Sequence, residues 1–358
     1  MAKKYPFQPD YAVPPGATLK ETLEVKGLSQ ADLARRTGLT EKTVSQIVNG
    51  IASITYETAE KLELVLGVPA SFWNTRERSY REALVRIEES KRLEKDVHWL
   101  KELPLAELID REYLQKGSEP RSLVRQALRF FGVSSVEAWR NTWAAPAAQY
   151  RGQVAQNKRP GYLAAWLRIG EIQADAIATS PFDAAEFKRV LAEVRRLTVT
   201  TANEWTDKIA ALCAPAGVAA VFTREIPSAG VSGATRWLTK DKALIQLSLK
   251  YKSDDQLWFT FFHEAGHILL HGKKQVFVEY GISDATAEEQ EANAFARDTL
   301  IPRAHEHRLP HLKTRAQIRE FADSLGIAPG VVVGRLQRDD LVFKSAFNDL
   351  KRKLAWSA

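Results

Sequence analysis

An α+β fold, mainly α with a small β-sheet, is predicted by three features of the sequence. Apolar residues recur at helical spacing through most of the 358 residues, with breaks at Pro and Gly. Strand-like runs are confined to the second half, at residues 218–222 and 243–249. Residues 253–271, SDDQLWFTFFHEAGHILLH, then read as one buried helix, because Trp258, Phe262, Ala265 and Leu269 share a face.

The apolar fraction of 45% supplies sizeable cores, and the length fits two or three domains. No apolar run is long enough to cross a membrane. The N-terminus, MAKKYPFQPDYAVPPG, is basic but lacks the apolar stretch of a signal peptide. The single cysteine, Cys213, excludes an intrachain disulfide framework and suits a reducing cytoplasm. It is expected as a small core residue, and any zinc site must therefore use His and carboxylates. The net charge of +7 is spread as +1 over residues 1–100, +4 over 101–200, −3 over 201–300 and +5 over 301–358. Charge alone thus does not mark a DNA-binding segment.

In chain order, residues 17–70 predict a bundle of short helices, the first over 18–25. Ser29 caps a helix with Leu33 and Ala34 inward, and Gly38 breaks it. Thr40 caps a second helix with Val44, Ile47 and Val48 as its buried stripe. Two helices joined by a short Gly-containing turn make a helix-turn-helix. Its outward face carries Glu41, Lys42, Thr43, Ser45 and Gln46, with Asn49 at its end and Thr40 at the cap, and its short and amide side chains with Lys42 suit base edges and phosphate. Gln30 can meet a phosphate at a helix N-terminus. PPGATLKETL, GLSQADLARRTGLTEKTVSQIVNG and ITYETAEKLELVLGVPASFW resemble the Xre-type helix-turn-helix and, within it, the HigA-like antitoxins, over about residues 14–85. That resemblance implies two closing helices with Ala59, Leu62, Leu64 and Leu66 as core. It also implies a homodimer bound to an inverted-repeat operator in double-stranded DNA.

Residues 74–103 alternate in charge sign and predict a solvated helical connector. Helices are predicted over 105–115, 121–131, 135–155, 161–178, 183–196 and 202–213, all within a helical middle region, 104–214. Arg121, Arg125, Arg129, Arg140, Arg151, Lys158 and Arg159 form a basic run there. Such a run suits either a solvated surface or phosphate.

The C-terminal segment begins at 215. The strand over 243–249 precedes the buried helix and is placed to add a peptide strand at a sheet edge, with Gly230, Ser232 and Gly233 as a turn bordering the cleft. Ser253 with Gln256 predicts a capping box, and Asp254 and Asp255 suit the helix dipole. His263 and His267, four residues apart, lie on one face and can reach a single Zn2+. Glu264 follows the first of them and is placed to act as general base toward water. Gly266 is expected where another backbone approaches closely. A third ligand is needed. In the next helix, which Thr286 and Glu289 cap and which runs to about Leu300, Glu288, Glu289 and Glu291 lie near the start; Glu288 and Glu289 both suit a core-facing position, and periodicity does not choose between them. Residues 317–336 scan as a further helix pair, expected as packing helices.

FFHEAGHILLH followed by EEQEANAFARDTLIP resembles the ImmA/IrrE family of zinc endopeptidases over about residues 215–305. The resemblance implies a zincin-like metallopeptidase domain, with Glu289 as third ligand and Asn293 bonding a ligand from behind. The family ends its second motif in Met-Pro where this chain has Ile301-Pro302, a difference expected to affect packing only. His271 is expected at the surface or behind the ligands. Arg236, Tyr280 and His271 are candidates for stabilising an oxyanion, and His305, His307 and His311 are expected in a loop.

The expected organisation is a helix-turn-helix DNA-binding domain at 14–73, a connector at 74–103, the helical middle at 104–214 and the metallopeptidase domain at 215–358. The resemblances together imply a cytoplasmic transcription regulator that binds an operator. It would cut a repressor or antitoxin protein in a stress, mobile-element or toxin–antitoxin circuit, with no membrane partner. The rival expectation is a non-catalytic HigA-like antitoxin or sensor with a structural or ligand-sensing zinc site.

Overall fold

The computed structural model describes residues 9–144, 159–200, 205–273, 277–279 and 286–356. The α+β expectation holds: the described residues are 65% helical and include a four-stranded sheet. Contacts group it into two units, residues 1–97 with 119–124 and residues 98–118 with 125–358.

The first unit holds α1 (Pro15–Lys26), α2 (Gln30–Thr37), α3 (Glu41–Val48), α4 (Tyr56–Leu66) and α5 (Ala70–Asp96). Ser29 caps α2 through a reciprocal pair with Asp32, and Thr40 Oγ1 caps α3 by accepting from Thr43 N. Gly38 ends α2 at φ 72°, the left-handed turn that redirects the chain into α3. Leu19, Leu33, Ile47, Leu62 and Trp73 fill the core. Two expected core positions differ. Leu64 is 86% exposed, because it lies two residues from Leu62 and so on the far side of α4 from Ala59, Leu62 and Leu66. Val48 is half-buried rather than buried. The charged helix begins at Ala70, before the expected connector, which brings the fully buried Trp73 onto it.

Next come α6 (Leu105–Asp110), α7 (Pro120–Phe131) and α8 (Val136–Trp139), with a π-helical turn at Arg140–Ala144. They are followed by α9 (Pro160–Asp175), α10 (Ala184–Arg196) and α11 (Trp205–Cys213). These fall on the predicted middle helices. The end of the 135–155 helix, with Arg151 and Lys158 of the basic run, lies outside the described residues. Trp99, Phe131 and Trp139 interlock here, with ring centroids 5.2 Å apart for Trp99–Trp139 and 5.7 Å for Phe131–Trp139. Cys213 is buried as expected, and burial pushes its thiol up to about 12.

The sheet comprises β1 (Val218–Phe222), β2 (Gly233–Thr239), β3 (Lys242–Leu247) and β4 (Phe277–Glu279), in the order β1-β3-β2-β4. β3 runs parallel to β1 and antiparallel to β2, and β2 is antiparallel to β4. Two expectations are corrected. Gly233 opens strand β2 instead of belonging to a turn. β3 has a neighbour on each side, so its backbone groups are already paired and it offers no edge to a peptide. Residues of β2 alternate between two faces. Thr235 meets α12 (Asp254–Leu270), whereas Arg236 meets α9.

Behind α12 lie α13 (Ala287–Leu300), α14 (Arg315–Leu325) and α15 (Pro329–Arg338). The last two cover the predicted pair at 317–336, and α15 packs on α12. The start of α12 differs from expectation. Ser253 makes no side-chain cap, and its backbone instead bridges to Lys353. Asp254 and Asp255 are buried and salt-bridged, to Arg352 at 3.0 Å and Lys351 at 2.7 Å. The C-terminal segment thus fastens the N-terminus of α12.

Burial pushes the Asp254 carboxyl above its ordinary value, against the pull of Arg352. Arg352→Ala is expected to cost about 3 kcal/mol at neutral pH, the low end for breaking a buried pair. The low end applies because Arg352 keeps 34% of its side chain exposed. Losing the cation raises the folded-state value of Asp254 further. The cost is therefore fully present above that value and falls away as pH drops through it. Urea unfolding of both proteins at neutral and mildly acidic pH checks the amount and the sign.

Candidate metal centre

α12 carries His263 and His267 one turn apart, and both rings are buried. α13 brings Glu289 to them. Gly266 permits the approach, since a Cβ there would stand 3.2 Å from Ala292 Cα. His263 Nε2 lies 3.0 Å from His267 Nε2 and 3.2 Å from Glu289 Oε2, and His267 Nε2 lies 3.5 Å from Glu289 Oε1. Among the described residues this is the group of three donors able to hold a metal ion. Bonds of about 2.0–2.1 Å arranged tetrahedrally put ligand atoms about 3.3–3.4 Å apart, so the three spacings fit a zinc ion.

Proton positions support the same fit. Asn293 Oδ1 lies 3.0 Å from His263 Nδ1. An amide oxygen only accepts, so Nδ1 carries the proton and Nε2 keeps its lone pair. On the second ring, His267 Nδ1 lies 2.9 Å from His271 Nδ1, and His271 Nε2 lies 3.2 Å from Glu291 Oε2. The Glu291 carboxylate accepts from His271 Nε2, which leaves His271 Nδ1 to accept from His267 Nδ1. His267 Nε2 therefore also points a lone pair at the centre. Burial, and then the neighbouring His263 and His271, push His267 down to about 2, so the ring is neutral. Two imidazole lone pairs and a carboxylate converge on one point, and a cation resolves their mutual repulsion.

The three acids near the start of α13 separate here. The Glu288 carboxyl is held below its ordinary value by its own backbone N–H and then by the Thr286 hydroxyl. Glu291 pairs with His271. Glu289 turns to the two imidazoles, so of the expected capping box only the Thr286 half forms, with Glu289 N donating to Oγ1. Glu264 is fully buried beside this group. It fits only because residue 233 lacks a side chain, since a Cβ there would stand 2.6 Å from Glu264 Oε1. Thr235 Oγ1 donates to the Glu264 carbonyl at 3.2 Å and fixes the turn.

The oxyanion candidates fare differently. Arg236 is on the other sheet face, bonded to Leu167 O at 3.0 Å and paired with Glu171 at 3.3 Å. Tyr280 lies outside the described residues. His271 is taken up with His267 and Glu291. His305, His307 and His311 fall on a 3₁₀ segment, Arg303–His311, rather than a loop. Two contributors escaped sequence reasoning. Glu291 acts behind the ligands, through His271. Phe277 stacks on the His267 ring at 3.8 Å and 13°. The signal for the first was His271 continuing the stripe of His263 and His267.

In the first unit, Gln30, Thr40, Lys42 and Asn49 are exposed, and Thr43, Ser45 and Gln46 are half-buried. The Thr40 and Thr43 hydroxyls bond each other at 2.8 Å, and Asn49 Nδ2 donates to Ser45 O at 2.8 Å. Lys42 and Gln46 have side chains long enough to reach outward, while these shorter ones are engaged in capping. Among the described residues no helix is long and apolar enough to cross a membrane.

Residues 19–73 match the family described as helix-turn-helix, and residues 219–337 match a peptidase family described as the IrrE N-terminal-like domain. No curated protein matches the chain. A solved addiction module antidote protein of a HigA (higA) family from Coxiella burnetii is similar at 28% identity and a TM-score of 0.22. That likeness covers 24% of this chain and 94% of the other. The chain therefore carries an Xre-like helix-turn-helix domain followed by an IrrE-type peptidase-family domain.

Proposed function

We propose that this chain is a DNA-binding transcription regulator whose C-terminal body is a zinc-dependent endopeptidase. Its substrate would be a repressor or antitoxin protein, a second copy of the chain included. The observation that carries the reading is the convergence of His263 Nε2, His267 Nε2 and Glu289 on one point beside the buried Glu264. In this reading the domains are 14–73 for DNA, 74–103 as connector, 104–214 as helical middle and 215–358 for peptide hydrolysis. The chain acts as a cytoplasmic homodimer on an operator, with Gln30, Thr40, Lys42, Thr43, Ser45, Gln46 and Asn49 on the DNA side.

His263, His267 and Glu289 would hold Zn2+, leaving room for a fourth donor. When bound, the ion supplies a Lewis acid for a peptide carbonyl and lowers the pKa of water at the site. Glu264 takes a proton from the attacking water and returns it to the leaving amine. Asn293 holds the His263 ring by its Nδ1 proton.

His271 and Glu291 are positioning residues that act through the proton of His267. His271→Ala is expected to weaken zinc binding about tenfold, read by competition with a chromogenic chelator. An unchanged affinity would remove His271 from the site.

The proposal is tested by incubating the zinc-loaded chain with helix-turn-helix repressors encoded beside it, before and after chelation. Cleavage that stops on chelation and returns with zinc supports it. Cleavage indifferent to chelation sinks the metal-dependent reading.

A further inference from the structure

A cavity of about 280 Å³ lies among α12, α13 and α15, apart from the three converging donors. Phe259, Leu300 and Val331 give it an apolar floor. Arg297, Arg335, Arg338 and Lys344 also line it. The carboxylate in the lining, Asp255, forms an ion pair with Lys351 at 2.7 Å, and both of its oxygens are buried with no hydrogen-bond partner among the described residues. Arg335 is the deepest of the four cations, with 12% of its side chain exposed. Its Nε meets Asp339 at 2.6 Å and its Nη2 meets Glu306 at 2.7 Å. Nη1 is buried and meets no hydrogen-bond partner among the described residues. A guanidinium packed this closely normally places every buried N–H on an acceptor, so this one is short of an oxygen.

We infer that this cavity binds a small organic anion with an apolar body. The anionic group meets Arg335 with Arg338 and Lys344 at the rim, and the body rests on Phe259, Leu300 and Val331. Apolar walls with a few convergent polar groups are what small-molecule sites have in common. A bare inorganic anion leaves the floor unused, and an uncharged apolar molecule leaves the Arg335 N–H unmet. The cavity also adjoins the two helices that hold the converging donors. Phe259 is one turn before His263, with ring centroids 6.3 Å apart, and Arg297 is one turn after Asn293. An occupant therefore bears on both helices at once, which makes the site one through which a small molecule can set the spacing of the donors. The inference does not depend on peptide hydrolysis, because binding is read directly.

The test is calorimetric titration of the full chain with naphthoate. Naphthamide serves as its uncharged match and inorganic phosphate as the charge without the body. Naphthoate is expected to bind once per chain, with naphthamide and phosphate each at least about tenfold weaker. Arg338→Gln with Lys344→Gln, both at exposed positions, should weaken naphthoate about tenfold. Val331→Phe, which fills the floor, should abolish binding. If that variant does not fold, the Arg338 and Lys344 pair decides. No saturable binding of naphthoate overturns the inference. So does naphthamide or phosphate binding equally well, or the paired variant leaving affinity unchanged.

Discussion

Glu264→Gln is expected to bind zinc as the unaltered chain does and to cut its substrate about 10²–10⁴-fold more slowly, the usual worth of a general base. The separation of the two effects is the point. Glu264 stands outside the trio of His263, His267 and Glu289, so its charge is not needed to assemble them. Gln matches its shape, so the tight fit against Gly233 is kept. What is lost is an acceptor for the water proton. Metal content by mass spectrometry and cleavage by electrophoresis make the two readings on the same preparation. Turnover retained in the variant would take the base away from Glu264. Cleavage lost in vitro while regulation in the cell stays unchanged would favour the non-catalytic regulator instead.

The parts of this site that the sequence reveals are those set by one helix. His263 and His267 are four residues apart, and a helix alone decides that they share a face. The caps at Ser29 and Thr40 are local in the same way. Glu289 is different. Its helix offers three acids in its first turn and a half, and choosing among them needs the position of a second helix, which spacing along α13 does not contain. Resemblance pointed to it, and the packing of Ala292 against Gly266 brings it to the imidazoles.

Other features depend on partners distant in the chain. Strand β2, GATRWLT, opens with Gly and carries an Arg, so its composition resembles a turn; its strand character comes from lying between β3 and β4. Asp254 and Asp255 looked like ordinary residues for a helix N-terminus because Arg352 and Lys351 are almost a hundred residues away. Leu64 fails for the opposite reason. It is apolar in a helix that needs only the stripe through Ala59, Leu62 and Leu66, and apolar composition does not by itself place a residue inside.

A ranking of three alanine variants tests the same architecture from the metal side. Zinc binding of roughly 10–16 kcal/mol shared among about four ligands amounts to about 3 kcal/mol each, so removing one costs about 10²-fold in affinity. Glu289→Ala is expected to lose that much and to be isolated with little zinc. His271→Ala should lose about tenfold, because it frees the proton of His267 without removing a donor. Glu291→Ala should lose less again, since it acts only through His271 and is itself largely in solvent, with 62% of its side chain exposed. The order carries more information than any single value. Equal losses at Glu289 and Glu291 would mean that both carboxylates reach the ion, and the chain from Glu291 through His271 to His267 would then be wrong. Loss at Glu289 alone, with the other two unchanged, would keep the three donors but leave the His267 proton to be fixed by burial. The predicted gradient requires both the donor set and the hydrogen-bond relay behind it, because only a relay makes the effect decline with each step away from the centre.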